Sequence, residues 1–269
     1  MKTYGIIGRM TLKIVGYVLA FFIIFGPLSS LVLWSFAQKW YWPHLFPQEF
    51  GLFYWHKVLG SKMLQSLYLS FGIALLVTIL TLILTVPMSY LLARYKVPAK
   101  GIILTLFLVP QAFPQLPVYS NTLVLLYRWN LAGKLSGVVL IHLVGCLVYS
   151  VWTMVSVFRS IPVSLEEAAI NVGASKLRVF FTITLPNAIP GIVAAALLVF
   201  LYSLDEFTGT LLVGSPFIST MPVYMYNTAM GYEMQISSIT ALLLMLPGVF
   251  LLFFLEKFLK SQYLSNFGR

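Results

Sequence analysis

Few groups in this chain could do chemistry, and most of them stand in or beside long apolar runs. Asp205 and Glu206 are adjacent in Tyr202-Ser203-Leu204-Asp205-Glu206-Phe207, where one such run stops. Paired carboxylates could attract a cation; adjacent helical positions also point to different faces, which suits one acid as a cap and the other as a solvated group. His142 lies within another run, where an ionisable side chain either touches a transported solute or bonds a neighbouring helix. Gln111 and Gln115 are interleaved with Pro110, Pro114 and Pro117, which cannot donate backbone hydrogen bonds and so kink or unwind their helix. Freed backbone inside a membrane is tolerated where protein or a watery cavity covers it, so this segment either borders a translocation path or is a structural kink. Cys146, the single cysteine, reads as a small buried residue. His44 and His56 have no metal-like companions, and neither clustered metal ligands, a nucleophilic triad nor a Gly-x-x-x-x-Gly-Lys-Ser/Thr phosphate loop occurs. The expectation is no catalytic residue, no metal and no cofactor of its own.

The elements that must hold these groups are membrane spans. With 60% hydrophobic and 9% charged residues the chain is not a soluble globular domain. A span needs roughly 20 apolar residues, and runs of that kind cover 14–36, 64–92, 101–126, 135–157, 189–204 and 236–259. The first is too long for a signal peptide and lacks a small-residue cleavage site, so it reads as an uncleaved span. Six spans put both termini on one side. On that side lie Lys2, Arg9, Lys13, Arg94, Lys96, Lys100, Arg159, Lys176, Arg178, Lys257, Lys260 and Arg269; the other has Lys39, Lys57, Lys62, Arg128 and Lys134. Twelve of the 17 basic residues against five make the side of the termini cytoplasmic. The net charge of +10 is spread among apolar segments rather than gathered on one face, so it reports orientation in a membrane and not nucleic-acid binding. The first external loop, 37–62, holds Trp40, Tyr41, Trp42, Phe46, Phe50, Phe53, Tyr54 and Trp55, a composition that fits an interfacial helix or belt, or a surface for an external partner. The small Ala194-Ala195-Ala196 run in the fifth span allows close helix packing.

The longest polar interlude, 162–190, falls on the cytoplasmic side. Ser164 and Glu167 have the spacing of a capping box that starts a short helix. Gly173 would end it, because glycine enters the left-handed region without a side-chain penalty. Ser175 would cap a second short helix through Phe181, after which Leu185 and Pro186 turn the chain back to the membrane. Ala168, Ala169 and Val172 share one small apolar face of the first helix, open to close approach by another protein.

Glu167-Ala168-Ala169, Gly173 and Ile183-x-Leu185-Pro186 resemble, at every spacing, the EAA loop of ABC-importer permeases. The resemblance covers roughly 64–259. It implies an all-α integral membrane protein with a six-helix, type I importer (MetI-like) core and cytoplasmic termini. It also divides the chain into a first span with its aromatic loop (1–63), a transmembrane domain (64–259) with its coupling loop at 162–187, and a tail (260–269). The resemblance implies that Glu167, Ala168, Ala169, Gly173, Ile183, Leu185 and Pro186 couple to an ATPase that binds ATP and Mg, so this chain is not itself an enzyme. Its implied partners are two such ATPases, a second and different permease subunit, a periplasmic or lipid-anchored solute-binding protein and membrane lipid, in a bacterial inner membrane. The region 211–235 would help form the external gate.

Ser203-Leu204-Asp205-Glu206-Phe207 and Met221-Pro222-Val223 are similar to patterns in the polyamine permease group. The implied solute is therefore spermidine, putrescine or a similar small organic cation, with aminoalkylphosphonate, thiamine, ferric iron and sugar as alternatives. Candidates for its path are Asp205, Glu206, Tyr202, Gln111, Gln115 and His142. An ion-coupled secondary transporter is the remote alternative; it would use acids within its spans and often inverted repeats, whereas here the one acidic cluster sits at a span end.

Overall fold

A computed structural model describes residues 2–41, 43–60 and 62–267, with side chains described at 13–41, 43–60, 62–251 and 253. Trp42 and Arg269 fall outside the described residues, as do the side chains of Lys2, Arg9, Lys257 and Lys260. The elements are, in order, α1 (Lys2–Phe36), β1 (Ala37–Lys39), β2 (Glu49–Phe50), α2 (Phe53–Leu59), α3 (Lys62–Arg94), α4 (Lys100–Ala112), α5 (Gln115–Arg128), α6 (Leu135–Ser160), α7 (Val163–Asn171), α8 (Lys176–Val179), a π turn (Phe180–Thr184), α9 (Leu185–Asp205), α10 (Thr208–Gly214), α11 (Met221–Met230) and α12 (Met234–Phe267). Two compact units result, one of 1–64 with 224–246, the other of 65–223 with 247–269.

In the first unit, Lys13–Phe36 is apolar enough to cross a membrane, and side chains such as Tyr17, Phe22 and Ile23 stand exposed along it, as suits a helix whose solvent is lipid. The aromatic loop is not a simple interfacial helix. Its first part is a two-stranded antiparallel hairpin pairing Ala37 with Phe50 and Lys39 with Glu49, and only Phe53–Leu59 is helical. Trp34 stacks on Trp40 at 4.3 Å, and the Trp40 indole donates to the His44 carbonyl at 2.9 Å, so part of the aromatic content folds the loop itself.

The second unit holds the core. Among the described residues of the whole chain, five helices are long and apolar enough to span, and a sixth span exists only if α4 and α5 count as one crossing bent by 100°. The third apolar run is thus two helices rather than a kinked one. The cause is local: Phe113 precedes Pro114, and the proline ring forces it into an extended conformation (φ −108°, ψ 149°) that no helix can continue. Ile161 before Pro162 is extended for the same reason and ends α6. Ile73 and Val77 of α3, Tyr119 and Leu126 of α5, Val138 and Ile141 of α6, Val199 of α9 and Val213 of α10 meet in one cluster. Met154, Phe158, Ile161, Ala188 and Ala195 form another toward the cytoplasmic end of α6 and α9.

Two further features set the packing of this unit. A Cβ on Gly145 of α6 would collide with the Tyr202 ring of α9, and one on Gly191 of α9 with the Val157 side chain of α6, so each helix opens a notch for the other. Along α3, Ser66, Ser70, Thr78, Thr81, Thr85 and Ser89 form a buried hydroxyl stripe. Thr85 bonds Ser150 of α6 at 2.7 Å and Ser89 donates to the Val151 carbonyl at 3.4 Å; such interhelical bonds in membranes contribute about 0.6 kcal/mol each.

Candidate coupling loop and core polar cluster

The polar loop folds as helix, turn and helix, with starting points that differ from expectation. Pro162 occupies the N-cap of α7 with φ −59° and no side-chain cap bond forms. Ser164 therefore lies inside the first turn and the capping box is not made: with Pro162 at the N-cap the helix starts two residues earlier than Ser164 would have started it. At the other end Gly173 has φ +91°. Its N–H bonds the Ile170 carbonyl at 2.9 Å and the next N–H, of Ala174, bonds Ala169 at 3.0 Å, the paired pattern of a Schellman C-cap.

Ser175 accepts the Arg178 N–H at 3.4 Å and caps α8. The helix it starts does not stop at Phe181, and Leu185 and Pro186 do not turn the chain back. Lys176–Asp205 is one membrane-length helix. Pro186 fits near the start of α9 because a π turn precedes it, in which the Leu185 N–H reaches back to Phe180; the locally widened turn absorbs the missing donor of the proline. Ala168 and Glu167 are exposed, Val172 is 86% exposed, Ala169, Ile183 and Leu185 are half-buried, and Pro186 is exposed. The small-residue face of α7 is thus uncovered.

Sequence reasoning missed what holds α7 in place. Its single buried residue is Glu166. One carboxylate oxygen of Glu166 accepts from Arg94 Nε of α3 and from Thr184 Oγ1 of the π turn, both at 2.8 Å, and a second Arg94 nitrogen donates to the Ile161 carbonyl at 2.9 Å. Glu166 sits beside Glu167 in the chain, but no sequence signal links it to a residue 72 positions away.

Near the end of α9 the candidate path residues divide. Glu206 is buried, and its carboxylate accepts the Gly209 N–H at 2.5 Å, bracing the first turn of α10. Asp205 is exposed and forms no ion pair among the described residues. This is the cap-and-solvated division of the pair. Tyr202 packs on Tyr149 with ring centroids 4.9 Å apart, and its hydroxyl lies beside Tyr119 and Gln111 without closing a hydrogen bond of good geometry. The break between α4 and α5 thus brings Gln111 and Tyr119 to Tyr202. Gln115 is exposed at the start of α5. His142 is buried with both ring nitrogens engaged, one to Ser203 Oγ and the other to Thr210 Oγ1, each at 2.8 Å, so it ties α6 to α9 and α10. Among the described residues no group of three or more His, Cys, Asp or Glu could hold a metal ion.

The family described as "Binding-protein-dependent transport system inner membrane component" matches residues 85–263. Over 253 residues, 90% of this chain and 88% of the other, the sequence is 26% identical to the putrescine transport system permease protein PotI of Escherichia coli (strain K12). It is 32% identical over 158 residues, 58% of this chain and 55% of the other, to the sulfoquinovosyl glycerol transport system permease protein SmoH of Agrobacterium fabrum. In fold it is similar to a chain of a bacterial ABC transporter involved in import of the acidic polysaccharide alginate, with TM-score 0.68 and 17% identity over 95% of this chain and 96% of that one.

Proposed function

Because the chain belongs to the binding-protein-dependent transport system inner membrane components and is the permease subunit of an ABC importer, we propose that α7 is its docking element for an ATPase and that the imported solute is a small organic cation of the polyamine kind. The observation that carries the docking reading is the state of α7. It is held from behind by one buried side chain, while Ala168 and Val172 face outward with nothing on them. Small apolar side chains on a short helix suit insertion into a groove of a partner. In this reading Glu167, Ala168, Ala169 and Gly173 form the inserted surface, and Ile183, Leu185 and Pro186 link it to α9. ATP and Mg are held by two ATPase copies, a second and different permease completes the pore, and an external binding protein delivers the solute.

The cation reading is supported by Asp205, an exposed carboxylate three residues beyond Tyr202 at the end of α9 that no cation neutralises among the described residues. The name of the relative PotI is in keeping with it. A second reading has its own observation: Glu206 is spent on α10, and the remaining cluster of Gln111, Tyr119, Tyr149 and Tyr202 is neutral, a lining suited to a hydroxyl-rich solute. The test is ATPase activity of the reconstituted complex, with its binding protein, against spermidine, putrescine, thiamine, 2-aminoethylphosphonate, ferric ion and maltose. Stimulation by a polyamine that falls about tenfold in Asp205→Asn, the equivalent of ~1.4 kcal/mol, supports the cation reading. Stimulation by maltose alone favours the neutral lining, and a complex without ATPase subunits refutes the docking of α7.

A further inference from the structure

α7 has nine residues, and the single one it buries is ionic. Apolar contacts are non-directional, so a helix held by them could slide or roll under load. The attachment here is directional. Arg94 and Glu166 meet with side chains 7% and 8% exposed, and each has a further partner on a different segment. Arg94, the last residue of α3, also holds the carbonyl of Ile161 at the end of α6; Glu166 also holds Thr184, which is fully buried in the π turn that opens into α9. Four chain segments therefore converge on one carboxylate–guanidinium pair: α3, α6, α7 and the start of α9. Behind it, hydroxyl bonds from Thr85 and Ser89 tie α3 to α6. The link to α9 falls within the π turn, where the regular helical ladder is already interrupted and the helix bends most readily.

We infer that Arg94, Glu166 and Thr184 form a latch that makes α7 move as one body with the cytoplasmic ends of α3, α6 and α9, so that displacement of α7 by the ATPase is delivered to the spans rather than lost at the loop. These are positioning residues, and the inference rests on the docking reading of α7. Without the latch α7 stays attached through the covalent chain at Pro162 and at Gly173, two points where the backbone leaves helical geometry, and it would pivot there.

The test uses the complete transporter, with nitroxide labels on Val163→Cys of α7 and Leu198→Cys of α9, both exposed in the native chain, while the native Cys146 is buried. The distance between labels is read without nucleotide and with ATP plus vanadate. With the latch intact the distribution should move by less than about 2 Å, the scale of a rigid shift between packed helices. Thr184→Val keeps the side-chain volume and removes only the hydroxyl, and Glu166→Gln removes the charge. In either background nucleotide should broaden the distribution or move it by about 5 Å, the scale of one helical turn, and Thr184→Ser should restore the native behaviour. If Glu166→Gln fails to assemble, Thr184→Val carries the test. An unaltered latch that shifts by about 5 Å, or a Thr184→Val transporter matching the native one in both states, overturns the inference while leaving the docking reading intact. ATPase subunits that fail to co-purify with the native chain overturn the docking reading, and the inference falls with it.

Discussion

Gly173 shows how much one backbone angle can carry. Its φ of +91° closes the C-cap of α7, and a Cβ there would meet nothing within 4 Å, so any substitution is penalised by backbone strain alone. For an L-residue the left-handed region costs about 1–2 kcal/mol, less for Asn, and a β-branched side chain resists it further. Gly173→Val should therefore abolish ATPase stimulation and uptake, Gly173→Ala should lower both, and Gly173→Asn should come nearest the native protein. Native activity in the Val variant would remove this turn from the mechanism. The glycine is legible in the sequence because its constraint is local. Ser164 misled for the opposite reason: its spacing to Glu167 is right for a capping box, but Pro162 starts the helix first. Glu166 and Arg94 were illegible, since a buried pair formed by segments 72 residues apart leaves no periodic trace.

At the scale of elements, apolar run length finds the spans and proline finds the breaks, but neither gives the angle at a break. The 100° between α4 and α5 follows from one extended residue, Phe113. The coupling loop likewise reads as two short helices until the π turn joins the second of them to α9, because accommodation of Pro186 depends on a turn type that sequence spacing does not specify. Ala194-Ala195-Ala196 reads as a site of close helix packing without naming a partner, and of the three Ala195 is buried, in a cluster with residues of α6. The closest approaches, however, fall at Gly145 and Gly191, whose importance depends on what faces them. Gly191→Ala would force its new methyl into Val157, and overpacking of this kind costs about 1–3 kcal/mol. The variant should unfold at lower temperature in detergent, and Val157→Ala in the same chain should recover most of the loss, since residues in contact couple non-additively. Independent, additive losses would show that the notch is not what sets the α6–α9 distance.

For the whole molecule the deciding quantity is the sidedness of charge. Twelve basic residues against five make the side that holds α7 cytoplasmic, with both termini beside it when α4 and α5 count as one crossing. Lys39 and Lys57, two of those five, are engaged by Glu49 and Glu233 at 2.5 and 3.3 Å, and the first of these pairings raises the pKa of Lys39 through its hydrogen bond to Glu49. Surface pairs of this kind contribute little to stability, while Lys96, Lys176 and Arg178 stand exposed in and near the coupling loop. The orientation is testable with two variants that each add one cysteine, because the native Cys146 is buried and should not react. Leu45→Cys lies at an 86% exposed position between β1 and β2, and Lys96→Cys at an exposed position between α3 and α4. A membrane-impermeant maleimide added to intact cells should label Leu45→Cys and spare Lys96→Cys; in inside-out vesicles the pattern should invert. The reverse pattern would put α7 outside, beyond the reach of any ATP-hydrolysing partner, and the docking reading and the latch would fall together.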